Sequence, residues 1–242
     1  MNRSPVKAVL FDLDDTLFDH HYSLRAGITA VQQHYPQLAA YAAQDVEEAY
    51  IALIDKWHLK VLAGTLSMDA ARVERFREVF AQYGERISLE EANRASDIYR
   101  NAYQARRQLI PGAEKLLKHL RAAGIKIVIV TNSTVEEQHP KLEYLGLNPL
   151  IDVLVISEEV GIPKPQRRIF EVALERAGCT RDEVVMIGDS WPNDIVGAHH
   201  MGIRAVWLNR FGHRIPDVRL ATELTALEPI EDTAALLLSE FS

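Results

Sequence analysis

The sequence predicts an α/β fold, a parallel β-sheet flanked by helices with an α-helical insertion after the first strand. Three observations predict it. Five short apolar runs lack the polar alternation of a half-exposed strand. Each is followed by a turn and then a helical pattern, the rhythm of a parallel sheet. The interval 19–108, between the first run and the rest, carries helical periodicity and no β-rich run.

The runs are Ala8–Phe11, Ile125–Val130, Val153–Ile156, Val184–Ile187 and Ala205–Trp207. Between them, Ala113–Ala123 places Leu116, Leu117 and Leu120 on one face and stops at Gly124. Arg167–Ala177 follows Pro165 and stops at Gly178 in the same way. Within the insertion, Tyr41–Leu62, Met68–Tyr83 and Leu89–Arg107 show apolar spacings of three and four, with breaks at Pro36, Gly64 and Gly84. The expected organisation is therefore a core of residues 1–18 and 109–242 and a helical cap of residues 19–108.

Composition narrows the function. The chain has 242 residues, 48% hydrophobic and 25% charged, as expected of a globular protein. A net charge of −7 argues against a nucleic acid polymer or an anionic membrane as partner. Any site for an anionic ligand must therefore be locally positive. The single cysteine, Cys179, allows no intrachain disulfide. With no signal-peptide pattern and no apolar stretch of membrane-spanning length, a cytoplasmic setting is expected.

In a parallel sheet, residues just beyond the strand ends meet along one edge, where such folds bind ligands. Four polar clusters fall there: Asp12-Leu13-Asp14-Asp15-Thr16, Thr131-Asn132-Ser133, Gly161 to Pro165, and Gly188-Asp189 through Asp194. Carboxylates crowded at strand ends repel one another unless a cation lies between them. Asp12 and Asp14 with Asp189 make an oxygen-rich site free of His and Cys, which selects Mg²⁺ over zinc. Asp15 is read as a turn or helix cap. Lys164, fixed between two prolines ahead of a helix, is placed to offset the carboxylates and to contact phosphate oxygens. Thr131 and Asn132 can offer a hydroxyl and N–H donors to an anion. Asp194 is expected to steady the loop or the waters of a metal ion, not to ligate it directly. The cap residues Trp57, Arg72, Arg75 and Arg77 are candidate substrate contacts, with the arginines read in preference as a solvated helix face.

These clusters resemble the four motifs of the haloacid dehalogenase-like (HAD) hydrolase superfamily. Asp12-Leu13-Asp14-Asp15-Thr16 is similar to the first, Thr131-Asn132 to the second, Lys164-Pro165 to the third, and Gly188-Asp189 with Asp194 to the fourth. The resemblance covers residues 6–17 and 110–242 and implies a Rossmann-like core whose helical cap closes over the substrate. It further implies that Asp12 attacks phosphorus, forming an aspartyl-phosphate, and that Asp14 protonates the leaving oxygen and then activates water. Asp12, the Asp14 carbonyl and Asp189 would hold Mg²⁺, while Thr131 and Lys164 grip the transferring oxygens.

Position 14 separates branches of that superfamily. Members resembling dehalogenases or phosphonatases lack an acid there, which disfavours them, whereas phosphomutases keep it; a haloacid dehalogenase and a phosphomutase stay as alternatives. The stretch Val155 to Pro165, then Ile169-Phe170, with Trp207-Leu208-Asn209, resembles bacterial house-cleaning 5'-nucleotidases. A nucleoside monophosphate is thus the expected substrate, with sugar phosphates and flavin mononucleotide as alternatives. A non-enzymatic reading, a phospho-aspartate signalling switch, shares the acids, Thr and Lys but not the helical insertion. Monomer and homodimer both remain open.

Overall fold

The computed structural model describes residues 5–239. Its chain divides into two units, Met1–Asp19 with Leu109–Ser242, and His20–Gln108.

The first unit is built on six parallel strands: β1 Ala8–Phe11, β2 Lys126–Thr131, β3 Val153–Ile156, β4 Val184–Gly188, β5 Arg204–Leu208 and β6 Thr222–Leu224. Their order is β3-β2-β1-β4-β5-β6, every pair parallel. β1 is fully buried and central, flanked by β2 and β4, which explains why its sequence is apolar on both faces. Helices cover the sheet, including Arg167–Ala177, whose Ile169, Phe170 and Ala173 join Leu10, Val128, Val130 and Met186 in the core. The fold class is the one the sequence predicts.

β6 was not expected from the sequence. It is a three-residue edge strand, half-exposed, so it carries no apolar run to mark it. β2 starts and ends one residue later than the run that predicts it, so Thr131 belongs to the strand and its side chain is buried.

β1 and β4 define the switch in chain direction. The chain moves outward from β1 through β2 and β3, then returns to the other side of β1 with β4. Ligands of open parallel sheets bind at the carboxyl ends of the strands at such a point. Here Phe11 pairs with both Ile129 and Ile187. Asp12 N–H still donates to the Ile187 carbonyl at 3.0 Å, so Asp12 leaves β1 level with the end of β4.

The second unit is helical. Its principal helices are His20–His34, Ala43–Ile51, Ile54–Leu62, Met68–Gln82 and Leu89–Ala105. The stretch Tyr41–Leu62, expected as one helix, is two; Ala52 and Leu53 separate them with no Gly or Pro to mark the break. Tyr50, Phe76 and Tyr99 form its aromatic centre, with ring centroids 5.0–5.6 Å apart. Ser88 and Glu91 form a reciprocal cap on the last helix.

Two of the arginines read as solvated are buried. Arg72 is 5% and Arg75 7% exposed, and only Arg77 faces solvent, beside Glu74. Arg72 pairs with Asp69, while the Arg75 guanidinium lies 5.1 Å from the Tyr50 ring centre. A flat, weakly hydrated guanidinium can stack on an aromatic face in a way a charge count does not foresee. No helix among the described residues is long and apolar enough to cross a membrane.

Candidate active site

β1 ends in a tight loop that the backbone fixes firmly. The N–H groups of Leu17 and Phe18 both donate to the Leu13 carbonyl, and Asp15 N–H donates to the Phe18 carbonyl at 2.7 Å. Asp15 has φ +59°, the one described non-glycine residue in the left-handed region. Asp tolerates that region better than most residues, and such strain concentrates at functional sites. Asp15 therefore shapes the turn, and Arg210 approaches both it and Asp19 at 3.6 and 3.2 Å.

Lys164 is the hub of the site. It is 3% exposed, and its Nζ donates to Asp12 Oδ1 at 2.6 Å, Asp194 Oδ1 at 2.7 Å and the Val130 carbonyl at 2.7 Å. Those three bonds use all three ammonium donors. Burial alone would lower the Lys164 ammonium, but Asp12 and Asp194 outweigh it and hold the group above its ordinary value. The segment Gly161–Pro165 delivers Lys164 to this position, and Asn132 clamps it. Asn132 Nδ2 donates to the Lys164 carbonyl at 2.9 Å, and its Oδ1 accepts from the Lys164 N–H at 2.7 Å. The Asn132 carboxamide thus holds the Lys164 backbone in place.

Asp189 follows β4 and lies beside Asp12. Carboxylate oxygens of Asp12, Asp189 and Asp194 come within 4.8 Å of one another. Thr16 links two of these residues, since its hydroxyl donates to Asp12 Oδ2 at 3.3 Å and accepts from Asp189 N–H at 3.1 Å. Trp207 Nε1 donates to the Asp189 carbonyl at 2.7 Å. Asp194 is fully buried in a wide helical turn, Trp191–Ile195, and its Oδ2 accepts from Ser190 N–H at 3.0 Å. Both Asp194 oxygens are therefore engaged.

Close packing over Asp194 explains Gly188. A Cβ on Gly188 would stand 2.2 Å from Asp194 Oδ2 and 2.7 Å from Asp194 Cβ. Gly188→Ala is expected to cost about 3 kcal/mol, the upper range for overpacking, in a denaturant melt. Its activity should fall with its stability, because the carboxylate displaced also holds Lys164 through its Oδ1.

The electrostatics call for a cation. Carboxylate oxygens of Asp12, Asp189 and Asp194 crowd within 4.8 Å of one another, and the single ammonium of Lys164 is shared between two of these residues. Burial first, then the neighbouring Asp194 and Asp14, pushes the Asp12 carboxyl up to about 7 against the opposing pull of Lys164. Burial, with Asp12 and Asp194 nearby, pushes Asp189 well above its usual range. An all-oxygen donor set with this excess of negative charge fits a hard divalent cation such as Mg²⁺. Asp12 and Asp189 would hold such an ion, with Asp194 beside them.

Asp14 points elsewhere. Its Oδ1 accepts from Lys141 Nζ at 2.5 Å and its Oδ2 from Gln138 Nε2 at 3.1 Å. Gln138 Nε2 also donates to Thr131 Oγ1 at 3.0 Å. Sequence reasoning missed Thr16, Gln138 and Lys141. Thr16 lies inside a motif but carries no charge to flag it. Gln138 and Lys141 sit one turn apart on the helix Val135–Tyr144, where spacing alone does not tell an inward polar face from an outward one.

Known proteins frame this geometry. The family model described as haloacid dehalogenase-like hydrolase matches residues 6–202. The chain is 32% identical to the pyrimidine 5'-nucleotidase YjjG of Escherichia coli, over 86% of this chain and 88% of that one. It is also 32% identical to the glyceraldehyde 3-phosphate phosphatase of Methanothermobacter thermautotrophicus, over 84% and 86% of the two chains. Among solved structures, a HAD phosphatase from Thermococcus onnurineus superposes with a TM-score of 0.58 at 27% identity, covering 94% of this chain and 97% of that one.

Proposed function

We propose a function for a chain that belongs to the haloacid dehalogenase-like hydrolases: a Mg²⁺-dependent phosphatase that hydrolyses a small phosphate monoester through an aspartyl-phosphate on Asp12. The observation that carries this is the Lys164 hub, which holds one oxygen of Asp12 and, among the described residues, leaves Oδ2 with only a long hydrogen bond from Thr16.

In the first step Asp12 Oδ2 attacks phosphorus, the bond to the ester oxygen breaks, and Asp14 gives that oxygen its proton. In the second, water attacks phosphorus while Asp14 takes its proton, and the Asp12 carboxylate is released. Lys164 orients Asp12 and offsets charge on the transferring oxygens. The Thr131 hydroxyl, which accepts from Gln138, has its own proton to donate to the phosphoryl group. When bound, Mg²⁺ supplies positive charge that neutralises the phosphoryl oxygens and the crowded carboxylates.

The metal requirement has a signature in stability. Asp12 is raised from the ordinary value of 3.8 to about 7, so the ion-free folded protein holds a proton that the unfolded chain releases. Its contribution to stability is complete below 3.8 and is lost as pH rises towards about 7. Mg²⁺ is therefore expected to raise Tm more above pH 7 than below pH 4, read by thermal melts with and without the ion.

For the substrate, a nucleoside monophosphate is supported by the E. coli relative named as a nucleotidase. A phosphorylated small sugar or triose is supported by the relatives named glyceraldehyde 3-phosphate phosphatase. Phosphate release from nucleoside monophosphates, sugar phosphates and flavin mononucleotide decides between them. Preference for nucleotides by kcat/KM supports the first reading, and preference for the phosphotriose overturns it in favour of the second.

A further inference from the structure

We propose that Lys141 and Gln138 are positioning residues that together hold Asp14 in the orientation from which it donates and takes its proton; this rests on the reading of Asp14 as the acid and base. Three observations carry it. Lys141 is 5% exposed and Gln138 is fully buried, so neither is a solvated helix residue. Each binds a different oxygen of the same carboxylate, at 2.5 and 3.1 Å. Asp14 is also the one carboxylate with which Lys141 forms an ion pair among the described residues, although a buried ammonium is costly unless paired.

The spacing explains how one helix does this. Gln138 and Lys141 are three residues apart, so their side chains lie on the same face of Val135–Tyr144. Lys141 Nζ lies 4.7 Å from the centre of the Phe18 ring, and Phe18 closes the loop that carries Asp14. The ammonium thus bridges the two ends of that loop. Gln138 also ties Thr131 at the end of β2, so one carboxamide sets both the acid and the phosphate-gripping hydroxyl. The Asp14 side chain is 31% exposed, so its polar contacts and not burial set its rotamer. A misplacement of about 1 Å can cost about 10²-fold in rate.

The test compares Lys141→Met and Lys141→Arg with the parent, using p-nitrophenyl phosphate and glycerol phosphate in the presence of Mg²⁺. Glycerol is a poor leaving group and needs a proton from Asp14, whereas p-nitrophenolate leaves without one. Lys141→Met is expected to lower the single-turnover phosphoryl-transfer rate about 10²-fold on glycerol phosphate, and far less on p-nitrophenyl phosphate. KM should stay within about threefold, since binding is not the step affected. Lys141→Arg should recover part of the loss. Gln138→Met, which keeps the lysine, should show the same ester dependence in weaker form. Equal losses on the two esters, or parental rates in both Met variants, would overturn the proposal. A parent that releases phosphate from neither ester overturns the reading of Asp14 itself, and the positioning role with it.

Discussion

Asp12→Asn is expected to reduce phosphate release by about 10⁴-fold or more, equivalent to about 5 kcal/mol of transition-state stabilisation. The substitution keeps the shape of the side chain but removes the lone-pair charge that attacks phosphorus. It should leave the fold in place. Asp12 is 7% exposed and disfavoured as an anion by burial, so an amide there exchanges one uncomfortable group for a neutral one. Lys164 retains Asp194 and the Val130 carbonyl as partners. The expected pattern is a near-parental melt with essentially no turnover. A large drop in Tm would instead indicate that Asp12 serves chiefly to neutralise Lys164.

Lys164→Met should have the opposite signature, losing both stability and rate. Removing the ammonium leaves Asp12 and Asp194 without their shared cation and takes a donor from the Val130 carbonyl. Breaking a buried pair by deleting one partner costs about 3–5 kcal/mol, and losing the charge that orients Asp12 and offsets the transferring oxygens is expected to cost about 10²–10³-fold in kcat. A second substitution separates the two effects. Adding Asp194→Asn removes one of the stranded charges, so the double variant should recover part of the stability and none of the rate. Simple addition of the two stability losses would mean that Lys164 and Asp194 are not coupled as their 2.7 Å contact requires.

The contrast between these variants mirrors what the sequence can and cannot convey. β1 and β4 were legible because a strand buried on both faces must be apolar throughout, and Asp12 and Asp189 because they follow such strands in a fold that gathers strand ends. β6 was not, because an edge strand of Thr222, Glu223 and Leu224 has no such pattern. Gln138 and Lys141 were not, because buried polar side chains on a helix look like surface residues until their partner Asp14 is placed. The Arg72 and Arg75 reading failed for the same reason: burial of a guanidinium depends on a particular acid or aromatic ring beside it. Asn132 shows the finer limit, where the residue lies in the site yet its amide serves the Lys164 backbone.

The central claim is that Asp12 is transiently esterified to phosphorus. The direct measurement uses Asp14→Asn, which should slow release of the intermediate, mixed with p-nitrophenyl phosphate and Mg²⁺ and quenched in acid. Peptide mapping by mass spectrometry is expected to find one phosphoryl group on the peptide containing Asp12, removable by hydroxylamine as an acyl phosphate would be. A burst of p-nitrophenolate with no phosphoryl group on that peptide, or with the group on another residue, would contradict it.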